Sequence, residues 1–453
     1  MPYPDTQDSK VLHIGFDDTD SIAGRCTTNL AFKIVSKLMS ETDITFIDYP
    51  LLVRLNPNIP WKTRGNGAVC LRIKTDRSDQ TIEFLLKILR TESDMRNGAN
   101  PGLAIFEGDS IPFPLRQFGN RAMNDVIGIE EAEKLAARLS IQIFKYGQGL
   151  GIIGAMASIG SLLEGDHTYE AIAYRKDENI GSPRKLDKST VSKVDINTYP
   201  LTFNCFDKIH ERVLIAPHGP DPVFCGIRGE DPQTVISSLQ KVMPVEKLEG
   251  YMVFRSNQGT NMHLQNELPQ SEIRTHRAGY IRCVVTKKPT IIRGGHVMFE
   301  VSDFSNKQYP VAVYEPTGLG SIASKLLEGD KIDIGIGVSM NSPHSSNILN
   351  VEYLSILEIT KEIVNINPLC DKCGKRMKSE GKDKGFQCKI CGDKKDTKIS
   401  ITNLRDIHLG MYLPYSKAHR HLTKPLHRFG MEKNYPHVPN IVKPLHTGWF
   451  KRF

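Results

Sequence analysis

The chain has 453 residues, 39% of them hydrophobic and 24% charged, which is enough for several hydrophobic cores and predicts three or four domains. No apolar run approaches the ~18–20 residues of a membrane span, and the opening MPYPDTQDSK is polar and acidic. Neither a transmembrane segment nor a signal peptide is therefore expected, and the expected location is the cytoplasm. The net charge of +8 is uneven: from Cys370 onward, 19 Lys and Arg stand against seven Asp and Glu. A neutral-to-acidic body with a basic end suits a polyanion as partner, the alternative being a solvated basic tail.

In chain order, VLHIGF at 11–16 is a buried-type strand that runs into an acidic cluster. Residues 27–39 place Leu30, Ala31, Ile34, Val35, Leu38 and Met39 at helical spacing, with Thr27 or Thr28 where an N-cap belongs. Strands are predicted at 44–55 and 68–74, a helix at 79–91, a helix at 130–138, a strand at 141–146, a helix near 152–163 and a strand at 169–175. Residues 10–195 thus read as one mixed α/β domain. A polar linker is predicted at 177–194. Residues 198–275 read as a small ferredoxin-like α+β domain, with strands near 200–205, 213–216, 224–227 and 251–254 and helices near 206–211 and 232–242. Residues 276–362 give five strands (280–287, 296–302, 310–315, 331–338, 350–359), with a helix at 319–327 between the third and fourth. That is the order of an OB-fold, a barrel used for single-stranded nucleic acid. A cysteine-bounded module at 366–396 and a basic tail at 397–453 complete a multidomain α+β chain.

The sharpest motif is Cys370-x2-Cys373-x14-Cys388-x2-Cys391. Two such knuckles bring four thiolates around Zn2+ in a closed, structural site, since no position is left for water. Gly follows each pair and permits the tight turn. Nine Lys and Arg within the module suit phosphate contact. The other five cysteines are scattered and read as reduced thiols.

Asp17-Asp18-Thr19-Asp20 follows the first strand. Carboxylates there can hold Mg2+ and take a proton from a nucleophile. The free N–H groups of a helix starting at Thr27-Thr28 favour a phosphate. In Lys62-Thr63-Arg64-Gly65-Asn66-Gly67, the glycines let the backbone approach phosphates that Lys62 and Arg64 neutralise. An acidic turn alone is as often only a turn, but together these pieces describe a phosphoryl-transfer site, although no Walker sequence is present. Gly149-x-Gly151-x-x-Gly154 matches a dinucleotide-binding fingerprint, with Asp177 about 20 residues on. A second wall of the nucleotide or RNA pocket is the preferred reading, and close helix–strand packing the alternative. Asp207, Asp221 and Glu230 are candidate cation-binding carboxylates, with exposed loop acids the equal alternative. His167 and Glu170 are read as structural, with acid–base work the alternative. In the tail, Arg420, His421, Lys424 and Arg428 interleave with aromatic rings, a pattern able to grip RNA.

These segments, in this order over nearly the whole chain, resemble one family: the archaeal tRNA(Ile) 2-agmatinylcytidine synthetases, also called agmatidine synthases or TiaS. The resemblance rests on IGFDDTDS at 14–21, CTT at 26–28, RLNPNIPWKTRGNGAV at 54–69, GLGIIGAMASIG at 149–160, VLIAPHGPDPVFCGIRGE at 213–230, the barrel region, the ribbon and RHLTKPL at 420–426. It implies a kinase-like first domain, a ligase that consumes ATP to AMP, and conjugation of agmatine to C2 of the wobble cytidine of a CAU-anticodon isoleucine tRNA, so that the codon AUA is read. It implies that Thr27 takes up phosphate and that Asp17, Asp18 and Asp20 form the catalytic acidic cluster. Thr28, Lys62, Arg64, Gly65, Asn66 and Gly67 are then expected on ATP and its phosphates, and Asp17 and Asp18 on Mg2+. Asp207, Asp221 and Glu230 are expected near agmatine, and Arg420, His421, Lys424 and Arg428 on tRNA. No obligate protein partner is implied. The competing expectations are a non-enzymatic single-stranded nucleic-acid binder built on the barrel and ribbon, and a nicotinamide-dependent oxidoreductase.

Overall fold

The computed structural model describes residues 10–243, 246–340, 347–433 and 445–453. The polar N-terminal stretch 1–9, the segment 341–346 within the expected barrel and residues 434–444 of the expected tail lie outside the described residues. Two compact units emerge: residues 1–280, 335–347 and 413–453 form the first, and residues 281–334 and 348–412 the second.

The first unit is organised by one sheet. Its order is Gln142–Lys145, Gly102–Glu107, Lys10–Asp17, Gly67–Thr75, Leu51–Arg54, Leu248–Ser256, Thr168–Arg175, Val223–Gly229 and Thr202–Phe203. The strand Lys10–Asp17 shows why helices cover both faces. Leu12, Ile14 and Phe16 point into a core shared with the helices Thr27–Leu38 and Ser78–Glu92. On the opposite face, Gly15 lies against Ala155 and Ser158 of the helix Gly151–Gly160, which packs with Phe113–Ala122 and Ile129–Arg138 over a second core. Side chains alternate across a strand, so a strand apolar on both sides needs both layers. Each fully buried large apolar side chain contributes roughly 1.5–3 kcal/mol.

The two halves of this sheet meet where Leu51–Arg54 runs parallel to Leu248–Ser256, with Arg255 opposite Leu51 and Ser256 opposite Leu52. Asn257 locks the end of the joint. Its Oδ1 accepts from the Arg54 N–H at 2.8 Å and its Nδ2 donates to the Arg54 carbonyl at 2.9 Å.

Several elements differ from expectation. The predicted strand 44–55 divides into Ile44–Phe46 and Leu51–Arg54 around Pro50, which has no N–H for a ladder. The expected linker at 177–194 carries the start of the helix Lys188–Thr198, capped by Asp187, whose carboxylate accepts from the Ser189 and Thr190 N–H groups. No helix forms at 206–211. Asp207 accepts from the Ile209 and His210 N–H groups, and this local turn replaces the helix with a short pairing of Phe206–Asp207 and Arg212–Val213. The strand Thr168–Arg175, expected to close the first domain, instead lies between Leu248–Ser256 and Val223–Gly229. The strand Gly102–Glu107 and the helix Phe113–Ala122 had no predicted counterpart.

In the second unit and its adjoining strands, five strands close on themselves in the order Gln308–Val313, Val297–Ser302, Ala278–Ile291, Lys331–Met340 and Asn347–Glu358, the last returning to pair with the first. The short helix Gly320–Ala323 falls between the third and fourth in chain order, as expected. Residues 367–395 fold around the four cysteines, with three two-residue strands. No helix among the described residues is long and apolar enough to cross a membrane.

Candidate active site and zinc ribbon

A cavity of about 610 Å³ opens in the first unit. Its walls come from segments far apart in sequence. The acidic turn contributes Asp17, Asp18 and Asp20, and the helix start contributes Cys26, Thr27 and Thr28. The loop after the Leu51–Arg54 strand contributes Trp61 and residues 62–67, the loop 212–221 contributes Asp221, and the tail contributes Lys417, His419, Arg420 and His421.

The acidic turn is built under constraint. Asp18 adopts a left-handed backbone with φ of 55°, and its Oδ2 accepts from the Asn100 N–H at 3.2 Å. Burial drives the Asp17 carboxyl up to about 8, with the Asp18 charge adding to it. Burial likewise lifts Asp18 to about 6 and raises Asp20. All three carboxyls are thus held back from their charged forms, although Asp17 and Asp18 stay partly exposed to the cavity.

The helix Thr27–Leu38 aims its start at this cluster. The N-cap is Cys26 rather than a threonine, and no side chain caps the first turn, so its N–H groups remain available to an anion. The buried Thr27 hydroxyl accepts from Thr19 at 3.0 Å. Thr63 donates to Asp20 at 3.1 Å, tying the glycine loop to the acidic turn. Arg64 spans the two halves of the sheet, 3.6 Å from Asp20 and 3.7 Å from Asp221. Asp221 itself sits in a loop clamped by Arg184, which donates to the carbonyls of Pro217, Gly219, Asp221 and Val223.

The glycines of KTRGNG serve close approach. A Cβ on Gly65 would lie 2.6 Å from His421 Nε2 and 2.7 Å from Arg54 Nη1, and one on Gly67 would lie 2.8 Å from the same Arg54 nitrogen. Arg54 belongs to a cationic floor that sequence reasoning missed. Glu170 accepts from Arg228 at 3.1 Å, stands 4.0 Å from Arg54 and takes a bond from Gln258. Two guanidiniums around one carboxylate leave a net positive charge facing the cavity. Arg54 and Arg228 stood in quoted motifs, but nothing in the sequence said that strands 51–54, 168–175 and 223–229 would converge. Glu170, read as structural, lines the cavity; His167 does not.

The G-x-G-x-x-G run is absorbed by packing. A Cβ on Gly151 would collide with the Gly102 backbone, and one on Gly154 would overlap the Asp17 carboxylate. The helix therefore presses against the acidic turn, and Leu150, Ile153 and Gly154 line the cavity. The packing reading holds, the segment also walls the cavity, and the glycines are not left open for a dinucleotide.

Four expected site residues lie elsewhere. Asp207 is buried in its own turn, bonded to His210 at 2.9 Å and to the Lys417 N–H at 3.2 Å. Glu230 is consumed by Arg428 and Lys433. Arg428 is 0% exposed, bonded to Glu230, Asp166 and the Gly259 carbonyl. Lys424 is buried between Asp166 and Glu432. Arg428 and Lys424 anchor the tail inward and cannot grip RNA phosphates, because their charges are spent on buried acids. His421 also points inward, with its Nδ1 3.1 Å from Arg228 Nη2; burial and then Arg54 hold its pKa well below the ordinary value. Arg420 alone of the four is exposed, and its Nη1 donates to Asn58 at 2.7 Å.

In the second unit, the ligating sulfurs of Cys370, Cys373, Cys388 and Cys391 lie within 4.8 Å of one another. A tetrahedron with Zn–S of about 2.3 Å sets its sulfurs just under 4 Å apart, so the set fits zinc. Gly374 and Gly392 take left-handed φ of 63° and 76°, and their N–H groups reach back to the Cys370 and Cys388 carbonyls at 2.8 and 2.9 Å. Those are the two predicted knuckle turns.

Three family models match segments of the chain. Residues 13–83 match the TiaS TCKD domain, residues 149–263 the TiaS FLD domain, and residues 367–407 the TiaS C-terminal zinc ribbon domain. The chain is 40% identical over 419 residues to the isoleucine-tRNA 2-agmatinylcytidine synthetase TiaS of Cenarchaeum symbiosum, covering 92% of this chain and 93% of that protein. It is 38% identical over 424 residues to the Methanosarcina mazei synthetase of the same name, covering 92% and 97%. Among solved structures, the complex of TiaS with its isoleucine tRNA and ATP superposes with a TM-score of 0.84 at 32% identity, covering 95% of this chain and all of that one (100%). The complex of TiaS with the same tRNA, AMPCPP and agmatine does so with a TM-score of 0.81 at 30% identity, covering 95% and 100%.

Proposed function

The chain belongs to the isoleucine-tRNA 2-agmatinylcytidine synthetase (TiaS) family, and we propose that it conjugates agmatine to C2 of the wobble cytidine of the CAU-anticodon isoleucine tRNA at the expense of ATP, in the cavity between the acidic turn and the glycine loop. The observation that carries this is the meeting of Asp17, Asp18, Asp20 and Thr27 with Lys62–Gly67 and Asp221 around one space. A purely RNA-binding protein has no use for buried carboxylates opposite a cationic floor.

The chemistry asks for such a place. The C2 oxygen of cytosine is a poor leaving group. Transfer of a phosphoryl group to that oxygen makes it a good one. The primary amine of agmatine then forms a C–N bond at C2, the C–O bond breaks, and phosphate departs with the oxygen. Phosphoryl transfer depends on alignment and charge neutralisation rather than on covalent help. In this reading, Thr28, Lys62, Arg64, Gly65, Asn66 and Gly67, with Arg54 and Arg228, hold the ATP phosphates. Thr27 receives the second phosphoryl group of ATP, so that AMP remains, its hydroxyl proton passing to a carboxylate of the cluster, and Asp17 and Asp18 would hold Mg2+, which would neutralise phosphate charge. The free amine has a pKa near ~10, so a carboxylate of this cluster must take its proton before attack. The far end of agmatine is a guanidinium and wants carboxylates. Asp20 and Asp221 already share the guanidinium of Arg64, so Asp221 is retained for agmatine while Asp207 and Glu230 are set aside. The target base must leave its stack, which costs least in an anticodon loop.

The domain reading belongs to the same proposal: a kinase-like first domain, a ferredoxin-like domain, an OB-fold barrel at 276–362 and a ribbon whose zinc is structural. Barrel, ribbon cations and Arg420 are assigned to tRNA by shape and phosphate contact.

The test is a reaction of purified protein with ATP, Mg2+, agmatine and a CAU-anticodon isoleucine tRNA transcript, followed by nucleoside digestion and mass spectrometry. A mass gain of agmatine minus water at the wobble position, dependent on ATP and lost in Asp18→Ala, is expected. Unmodified cytidine in the presence of tight tRNA binding would overturn it.

A further inference from the structure

The chain has two tryptophans, and they stand in opposite environments: Trp449 is 7% exposed and Trp61 is 59% exposed. An indole held half in water on a fixed support presents its ring to whatever enters the cavity. The support here is rigid. The loop that carries Trp61 closes on itself through the Leu55 N–H and the Asn66 carbonyl at 2.9 Å. Asn56, fully buried at its base, donates to the carbonyls of Asp125 and His276 at 3.2 and 2.7 Å. Its side-chain oxygen accepts from the Asn58 N–H and its carbonyl from the Asn66 side chain. His276 meets the indole edge-on, with centroids 5.6 Å apart and an interplanar angle of 79°. The ring lines the catalytic cavity. Two cations of the same cavity wall accompany it: Lys62, whose Nζ donates to the Ile59 carbonyl, and Arg420, whose guanidinium holds Asn58.

An exposed ring among cations, at the rim of a cavity, has the composition of a stacking platform for a nucleobase with its phosphate alongside. We propose that Trp61 is a nucleobase-binding residue of this site, stacking on a base of one of the two substrates that reach the cavity. This rests on the functional reading above for the identity of those substrates, ATP and tRNA, but not for the stacking itself.

The test uses the full-length protein and its own fluorescence. Tryptophan emission is followed while ATP is titrated in one arm and the CAU-anticodon transcript in another, without agmatine, so that no turnover is needed. Stacking should quench the emission in one arm, and the quench should vanish in Trp61→Phe, where buried Trp449 is the remaining reporter. Trp61→Ala should weaken binding of the quenching ligand by about ten-fold or more, as loss of a base–aromatic stack does, while Trp61→Phe retains most of the affinity and both variants keep the wild-type melting temperature. Quenching by ATP assigns the platform to adenine, and quenching by the transcript assigns it to an RNA base. Unquenched emission in both arms at saturating ligand, or unchanged affinities in Trp61→Ala, would overturn the proposal. A protein that quenches but makes no agmatinylcytidine would overturn the functional reading and leave the platform standing.

Discussion

Gly154 and Asp17 occupy one space: a Cβ at position 154 would overlap the Asp17 carboxylate. The helix Gly151–Gly160 thereby fixes where the first carboxylate of the acidic turn points, and its burial is what raises that carboxyl to about 8. Gly154→Ala must push either the carboxylate or the helix aside. Overpacking of this kind costs about 1–3 kcal/mol, which the two cores on either side of the sheet can absorb. Misplacement of a reacting group by an ångström costs on the order of 100-fold in rate. The expected outcome is a folded protein, modestly lower in melting temperature, whose ATP-dependent modification of tRNA falls by about 100-fold or more. Wild-type turnover in a folded Gly154→Ala protein would show that the contact does not position Asp17.

Arg428 and Arg420 were drawn from the same basic run and should behave in opposite ways. Arg428 is buried on Glu230 and Asp166, and removal of one member of a buried charge set costs about 3–5 kcal/mol. Arg428→Ala is expected to lower unfolding stability by that amount and to leave the salt dependence of tRNA binding unchanged in whatever fraction folds. Arg420→Ala should leave stability within about 0.5 kcal/mol and reduce the slope of log K against log salt by about one, as loss of a single phosphate contact does. Denaturant titration and filter binding over a range of salt concentrations separate the two, and a reversed pattern would contradict the burial argument.

These two residues also mark how far sequence reading reached. Elements whose pattern is local were legible: the strand before the acidic turn, the helix after Cys26, the knuckle glycines and the five-strand order of the barrel. The acidic turn and the glycine loop were each ambiguous alone, since Asp and Gly also make ordinary turns; the structure brings both to one cavity. The helix Lys188–Thr198 was hidden because only Val191 and Val194 of its eleven residues are buried, leaving almost no apolar stripe, although its Asp187 cap was a usable signal. The cationic floor of Arg54, Glu170 and Arg228 was hidden for another reason. Its members sit on three strands that meet only through the parallel joint between Leu51–Arg54 and Leu248–Ser256 and the insertion of Thr168–Arg175 beside it. Which charges of the tail turn inward depends on that same joint, so Arg428 and Arg420 look alike until the chain is folded.

His13 supplies a pH dependence with a defined sign. It is buried against Phe106, and its Nε2 meets the Gly108 carbonyl at 2.9 Å. Burial first, and then the charge of Arg72, hold its pKa at about 4. The unfolded chain takes up a proton near ~6.5, and the folded one does not until about pH 4. His13 therefore contributes stability that is present above the unfolded value and lost as pH falls through it. The raised carboxylates act in the opposite direction, so the difference between wild type and His13→Gln isolates the effect. The destabilisation caused by His13→Gln should shrink by about 2 kcal/mol between about pH 7.5 and about pH 5. A pH-independent difference in urea titrations would show that His13 takes up its proton alike in the folded and unfolded chain.

Zinc removal should act on one unit and spare the other. The core of the ribbon among the described residues is small: Cys370, Met377, Phe386 and Cys388, with Cys373 against them. So few apolar side chains cannot offset the ordering entropy of the segment, and metal binding supplies the folding free energy instead. The acidic turn, the glycine loop and the Arg54–Glu170–Arg228 floor belong to the first unit, whose two large cores contain no cysteine of the ribbon. Chelation, or Cys388→Ser, is expected to release zinc, unfold residues 367–395 as followed by limited proteolysis, and weaken tRNA binding, while ATP binding measured by calorimetry changes by less than about two-fold. If ATP binding fell in parallel with zinc content, the ribbon would be supporting the catalytic unit itself, and the assignment of its cations to tRNA alone would have to be abandoned.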